Sequence, residues 1–148
     1  MAYSDILSRL KTDIEAVTGI GLVYDYKRLV KDDHTKKELL ETGGKMHFWE
    51  ISREDATDPT DYLTLVVNKD DYTIQGWYAL DDSAGSEKVF QAVVDGVRAA
   101  LNGDRLLNSL GYIVDPITAS PITEEMKGNV LCHTAKMTAR ILTTTDLS

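Results

Sequence analysis

The chain has 148 residues, 43% of them apolar and 27% charged, which is typical of a globular protein with one domain that folds without a disulfide or a metal. Cys132 is its only cysteine, so an internal disulfide is excluded. Its 16 Lys and Arg against 24 Asp and Glu give a net charge of −8, which disfavours a surface that binds nucleic-acid phosphates. An acidic surface repels DNA, which is compatible with DNA that moves past the protein without binding to it.

The N-terminal residues predict an amphipathic helix. Ser4 is a suitable N-cap, and Gly19 or Gly21 ends the helix because glycine adopts left-handed backbone at little cost. The first residues lack the basic and apolar regions of a signal peptide, and no later apolar run reaches the roughly 18 residues of a membrane span. We therefore expect the protein to be made and kept in a cytoplasm. The predicted buried stripe of the helix consists of Ile6, Leu7, Leu10, Ile14 and Val17.

Two strands rich in aromatic and β-branched residues follow in the middle of the chain. Residues 46–53 read Met-His-Phe-Trp-Glu-Ile-Ser-Arg, and residues 72–80 read Tyr-Thr-Ile-Gln-Gly-Trp-Tyr-Ala-Leu. Shorter strands are predicted at 22–26 and 62–67, with residues 68–71, Asn-Lys-Asp-Asp, as the turn of a hairpin.

The segments between these strands are polar. Residues 27–42 are charged, with a helical turn predicted around Leu39 and Leu40, and the glycine pair at 43–44 predicts a turn. Residues 54–61 contain Pro59 and are predicted to form a loop.

The C-terminal half predicts a second helix, an arm and a last strand. Ser83 or Ser86 is the expected cap of the helix, which ends at Asn102 and Gly103. Residues 106–127 are irregular and predict an arm that covers the protein or contacts a partner, and residues 130–142 predict the last strand. The whole chain, residues 1–148, is predicted to be one α+β domain, with a mostly antiparallel or mixed sheet, two main helices on one face and a loose tail from 143 to 148.

The reactive side chains do not form a catalytic or metal-binding pattern. Cys132 and His133 are neighbours on a strand, so their side chains point to opposite faces. His47 and His133 are predicted to be a polar pair across strands, because no zinc-ligand spacing accompanies them. The acidic doublets at 70–71 and 81–82 are typical of turns. We therefore predict no metal, no cofactor and no enzymatic activity.

The aromatic residues give a different signal. Trp77 and Tyr78 are adjacent on a strand and cannot both enter one core, so one of them is covered by residues 27–42, by the arm or by a neighbouring subunit. Large aromatic residues are enriched at protein interfaces. Trp49, Arg53, Trp77 and Tyr78 are therefore candidate interface residues, although coverage by the chain's own loops explains the aromatic side chains equally well.

The pattern resembles the tail terminator proteins of long-tailed bacteriophages and prophages, a group similar to the minor tail protein U of phage lambda. The resemblance covers most of the chain, and its motifs are structural. They comprise the first helix followed by residues 19–26, then the strand at 48–53, the strand at 72–80 running into a helix with Phe90 and Gln91, and residues 128–133, which open the last strand.

The resemblance implies a ring of six copies that caps the tail tube, halts its polymerisation and offers a docking surface to a head completion or connector protein. It implies no catalytic residues. The expected partners are the chain itself, the tail tube protein and the head completion protein, with DNA passing through the lumen without specific binding, and the expected location is the virion. The net charge of −8 suggests that acidic loops line the lumen, with Asp55, Asp58, Asp70 and Asp71 as candidates.

Three other functions stay open. The chain resembles a tail terminator, but another neck or head–tail joining component is the nearest alternative, because such proteins share small α+β folds. A cytoplasmic module that binds a small molecule in an aromatic pocket is a second, and an enzyme built on His47, Cys132 and His133 is a third.

Overall fold

A computed structural model describes residues 3–27, 41–42, 45–56, 60–61, 65–127 and 130–146. Within these ranges the chain forms two α-helices, α1 (Tyr3–Glu15) and α2 (Ser86–Asn102). Two short 3₁₀ turns, Asp82–Ala84 and Leu107–Ser109, flank α2. The strands are β1 (Leu22–Tyr24), β2 (Glu41–Thr42), β3 (Lys45–Ala56), β4 (Thr60–Asp61), β5 (Leu65–Ala79), β6 (Tyr112–Ile113), β7 (Thr123–Lys127) and β8 (Val130–Asp146).

The described strands form one mixed sheet in the order β1-β3-β5-β8-β6, with β2 on β3, β4 on β5, and β7 on β8. β1 runs parallel to β3, and every other described pair is antiparallel. The predicted α+β class with a mixed sheet is confirmed.

Both described helices pack on the same face of the sheet, as predicted. The apolar stripe of α1 and that of α2 meet the inward side chains of β3, β5 and β8 in one core, and each large side chain buried there contributes about 1.5–3 kcal/mol. The most deeply buried members include Ile6, Leu10 and Ile14 of α1, Phe90, Val97 and Leu101 of α2, and Trp49, Ile51, Ile74, Met137 and Ile141 of the sheet.

The predicted hairpin turn at residues 68–71 is wrong, because β5 runs without interruption from Leu65 to Ala79. These four residues pair with β8, from Thr143 to Arg140. Asp71 accepts a hydrogen bond from Arg140 (Nε–Oδ1 2.9 Å), and the Asp70 carboxylate lies 3.8 Å from Arg53 Nη1. Pairing with neighbouring strands and guanidinium groups thus overrides the local turn preference of Asn and Asp.

Two other predicted boundaries also change. The loop at 54–61 is partly strand, because β3 continues to Ala56 and Thr60–Asp61 pairs with β5. The tail predicted to be loose from residue 143 is strand through Asp146, because its threonines are β-branched and pair with the first residues of β5. The turns predicted around Leu39 and at residues 43–44 lie outside the described residues.

The arm at residues 106–127 is a cover over the core. Leu107, Ile113 and Ile117 are buried, and β6 and β7 both pair with β8. The side chain of Asn102 holds the arm to the end of α2, accepting from the Ile117 backbone N–H at 2.8 Å.

Neither predicted serine caps α2. Gly85 occupies the N-cap position in left-handed backbone (φ 66°), and Ser86 is the first helical residue. The predicted end of the helix at Asn102 and Gly103 is confirmed.

Candidate interaction surfaces

Trp49, predicted to contact a partner, is a core residue, so that prediction is wrong. Its ring is fully buried beneath α2, with its centroid 5.8 Å from that of Phe90. Gly76, its cross-strand partner, makes the room, because a Cβ at that position would lie 2.5 Å from the indole. The large ring therefore fits inside only because the neighbouring strand has no side chain there.

Trp77 and Tyr78 point to opposite faces, as the strand period predicts. Trp77 stacks on Phe48 in a second, smaller cluster on the face without described helices, and the Lys127 ammonium lies 5.0 Å from its ring centroid. The end of the arm thus helps to cover Trp77. Tyr78 is half-buried on the helix face and meets His47 edge to face at 4.8 Å. Trp77 is buried within the chain, so the prediction of Trp77 as an interface residue is wrong. Tyr78 packs mainly inside the protein, and a contact between Tyr78 and a partner stays a prediction.

Arg53 is the one predicted interface residue that is substantially exposed. Its guanidinium lies 4.5 Å above the ring of Tyr3 and near Asp70, so it links the start of α1 to the sheet. A contact between Arg53 and a partner stays a prediction.

The three described acidic residues that were predicted to line a lumen lie in strands and not in loops. Asp55 is in β3, and Asp70 and Asp71 are in β5, where arginines pair with both β5 carboxylates. Asp58 lies outside the described residues. The loop assignment is wrong for the three described residues, and their position relative to a ring is untested.

The three residues of the enzyme alternative are separated. Cys132 packs in the second cluster, with its Sγ 3.5 Å from Met46 Sδ, and His133 faces α2 on the other side, as the strand period predicts. His47 and His133 share a row but lie on either side of Tyr78, so the predicted direct pair is wrong. Burial lowers the pKa of His47 to about 4, so its imidazole is neutral at physiological pH.

A serine, a histidine and a glutamate do line up near the start of α2. Ser86 Oγ lies 2.8 Å from His133 Nε2, and His133 Nδ1 lies 3.9 Å from Glu124 Oε1. Ser86 is only 2% exposed, and its oxygen already accepts a hydrogen bond from the Asp81 N–H. A buried hydroxyl occupied in this way is closed to a substrate, so the arrangement fastens the helix to the sheet.

A cluster of two carboxylates and a guanidinium joins α1 to the residues after α2. Arg9 Nε lies 2.7 Å from Asp104 Oδ2 and 3.7 Å from Asp13 Oδ1. Burial and the neighbouring Asp104 raise the pKa of Asp13 to about 7, while the hydrogen bond from Arg9 lowers the pKa of Asp104. A proton bound by this cluster near neutral pH therefore resides on Asp13, while Asp104 stays ionised beside Arg9. The part of the chain that the structure describes contains no group of three or more His, Cys, Asp or Glu side chains able to hold a metal.

One exposed apolar surface lies where β5 ends and β7 and β8 meet. Met126 and Leu131 are cross-strand partners, and the Leu80 N–H donates to the Leu131 carbonyl at 3.0 Å. The three side chains therefore form one row across β5, β8 and β7, with 38%, 44% and 62% of Leu80, Leu131 and Met126 exposed. We call Leu80, Leu131 and Met126 the apolar row. The strand period places Leu131 with the buried side chains of β8, so the sequence gives no sign of its exposure.

A second exposed apolar surface lies at the other end of β8. Leu106, Leu110, Tyr112, Leu142 and Thr143 line an open groove of about 340 Å³, which we call the end groove. On its rim, Leu106 is 63% and Tyr112 is 41% exposed. The groove was not predicted from the sequence, because its residues belong to the arm and to the predicted tail.

Neither described helix combines the length and the apolar character that a membrane crossing requires.

No protein-family model matches the chain, and no curated protein matches it. Among solved structures, a chain of the virion of a native gene transfer agent particle is similar, with 16% sequence identity and a TM-score of 0.56. The match covers 95% of this chain and 99% of that chain, so the two proteins share their fold over nearly their whole lengths.

Proposed function

We propose that this chain is a structural protein of a phage-like virion and that it acts there as a tail terminator. The observation that carries the proposal is the fold shared with a virion chain over 95% of one protein and 99% of the other. A match over nearly the full length of both chains concerns the complete fold and not a common fragment. The resemblance of the sequence to tail terminators supports the same role.

In this proposal the chain forms a ring of six copies on the end of the tail tube. The ring blocks addition of further tube subunits and presents its other side to a head completion or connector protein. The proposed role needs no catalytic function. In the one serine–histidine–glutamate arrangement among the described residues, Ser86 and His133 are buried, and two apolar surfaces of that part are exposed. Exposed apolar patches are typical of protein contacts.

DNA passes through the ring in this proposal without specific binding. The net charge of −8 supports repulsion from phosphate and hence free sliding. Arg53 and Arg140 pair with Asp70 and Asp71, so the repulsion depends on the total charge of the ring more than on these two carboxylates.

Tail assembly with and without the chain tests the proposal. Without it, we expect tubes of uncontrolled length that do not join heads, and restoring the chain should give tails of one length joined to heads. Tails of normal length that fail to join heads would instead identify a head–tail completion protein. Normal tails, together with a saturable ligand-dependent rise in melting temperature, would identify a small-molecule binder and refute the proposal.

A further inference from the structure

We propose that copies of this chain associate head to tail, with the apolar row of one copy seated in the end groove of the next. The inference rests on the proposed function, because it assigns the contact that would build the ring. The occupant of the groove is thus a second copy of the same chain.

The positions of the two surfaces favour this geometry. Leu131 lies near the start of β8 and Leu142 near its end, about 35 Å away at roughly 3.3 Å per residue. A contact between the row and the groove joins two different surfaces. When the row of each copy sits in the groove of the next copy, the contact is heterologous, and it repeats and closes into a ring when the rotation between copies is suitable.

The shapes of the two surfaces are complementary. The apolar row presents three side chains that project from the sheet, and Met126, the most exposed of them, is also the most adaptable in shape. The end groove is concave, with Leu110 and Leu142 partly buried within it and Leu106 and Tyr112 on its rim. Burial of both surfaces in one contact would remove from water apolar groups that the isolated chain leaves exposed.

The charges beside the two surfaces are also complementary. Glu124, two residues before Met126 on β7, lies on the same face of the sheet as the apolar row, and among the described residues no lysine or arginine forms an ion pair with its carboxylate. Beside the groove, the Arg105 guanidinium donates to the Ile113 and Val114 carbonyls and lies 5.3 Å from the Tyr112 ring centroid, with no described carboxylate paired to it. A carboxylate beside the row facing a guanidinium beside the groove orients the contact and disfavours the reverse docking.

The backbone beside the groove is held in an unfavourable conformation. Leu107, Asn108 and Ser109 have φ values of 45°, 52° and 69°, the left-handed region that residues with a Cβ rarely adopt. Leu107 is fully buried and fixes the turn, and Leu106, Ser109 and Leu110 around it line the groove. Backbone strain of this kind is found mainly where a surface has a function.

Cysteine crosslinking between copies tests the contact. In a Cys132→Ala background, a chain with Met126→Cys and Tyr112→Cys should form a ladder of crosslinked species that ends at a closed ring. Each single variant alone should stay uncrosslinked, and a mixture of the two single variants should stop at a dimer. Val89→Cys, at a position 43% exposed on α2, replaces Met126→Cys in the control and should give no ladder with Tyr112→Cys.

Three results would overturn the inference. The first is crosslinking of Met126→Cys with itself, and the second is a ladder in the control. The third is a double variant that forms no ladder at the highest soluble concentration and also forms none on assembled tails. A second pair of variants separates this contact from the proposed function. Leu131→Asp and Leu106→Asp should each block assembly alone, and when mixed they should form a dimer that grows no further.

The two proposals can fail separately. If Leu131→Asp and Leu106→Asp still end tails at the normal length, the contact is wrong and the tail role stands. If the unchanged chain does not affect tail length, the tail role is wrong whatever the crosslinks show.

Discussion

The hydroxyl of Ser86, at the start of α2, lies 2.8 Å from Nε2 of His133 in the middle of the sheet. The Asp81 N–H donates to the same oxygen, so the hydroxyl has a backbone partner on one side and the imidazole on the other. This contact joins the end of β5, the start of α2 and β8 at one buried point.

Replacing Ser86 with alanine should therefore destabilise the fold by about 1–3 kcal/mol, because the Asp81 N–H and the His133 imidazole both lose a buried partner. Ser83→Ala is the matched control. Its hydroxyl is exposed and donates only to Asp81 Oδ1, so the change should stay within about 0.5 kcal/mol. Urea unfolding of both variants measures the difference, and equal effects would refute the role of Ser86.

A methyl group at Gly76 should be poorly tolerated, because its carbon would lie 2.5 Å from the Trp49 indole. We expect Gly76→Ala to cost about 1–3 kcal/mol by overpacking. Trp49→Phe removes the atoms that clash, so the double variant should be more stable than the two single effects predict. Additive effects in this double-mutant cycle would show that the two residues do not interact.

The buried imidazole of His47 predicts a loss of stability in mild acid. Its pKa is about 4 in the folded protein against 6.5 in the unfolded chain, so the unfolded state binds the proton more tightly. The contribution of the neutral His47 imidazole to the free energy of unfolding is complete above pH 6.5 and is lost as the pH falls toward 4. We expect a loss of about 2–3 kcal/mol from this group, measured by urea unfolding as a function of pH.

His47→Phe keeps an aromatic ring beside Tyr78 and should flatten the pH dependence between pH 6.5 and 4. If the free energy of unfolding of this variant changes with pH as steeply as that of the unchanged protein, His47 is not the group that causes the loss of stability in acid.

Asp13 predicts the opposite trend with pH. Its raised pKa of about 7 means that the folded protein holds the proton more tightly than the unfolded chain, whose pKa is near 3.8. The contribution of protonated Asp13 to the free energy of unfolding is complete below pH 3.8 and is lost as the pH rises through about 7. Asp13→Asn should therefore be more stable than the unchanged protein at pH 8, by about 1–2 kcal/mol because Arg9 already offsets part of the repulsion.

Glu15→Gln is the matched control for Asp13, because it removes one exposed carboxylate from the same helix. It should change the stability at pH 8 by less than about 0.5 kcal/mol. Comparable gains in both variants would assign the effect to net charge and not to the contact with Asp104.

The sequence predicted the features that depend on local periodicity. Helical spacing located the buried stripe of α1, and the strand period separated Cys132 from His133 and Trp77 from Tyr78. These predictions hold because helix and strand geometry fixes the direction of each side chain whatever its neighbours are.

Features that depend on distant pairing were not predicted. Asn68 to Asp71 has the composition of a turn, but β8 on one side and β3 on the other hold much of it extended. Trp49 is buried because Gly76, far along the chain, leaves space for its ring. The exposure of Leu131 likewise depends on where α2 begins and on which side chains lie beside it in the folded sheet, and neither fact is local.

Electron microscopy of tail tubes assembled with the purified chain tests whether the chain ends tube growth as a ring. We expect tubes of one length with a closed ring of six copies at one end, and tubes without a ring when the Leu131→Asp variant is used. Tubes that grow to the same lengths with and without the chain, and carry no added density at either end, would contradict this expectation.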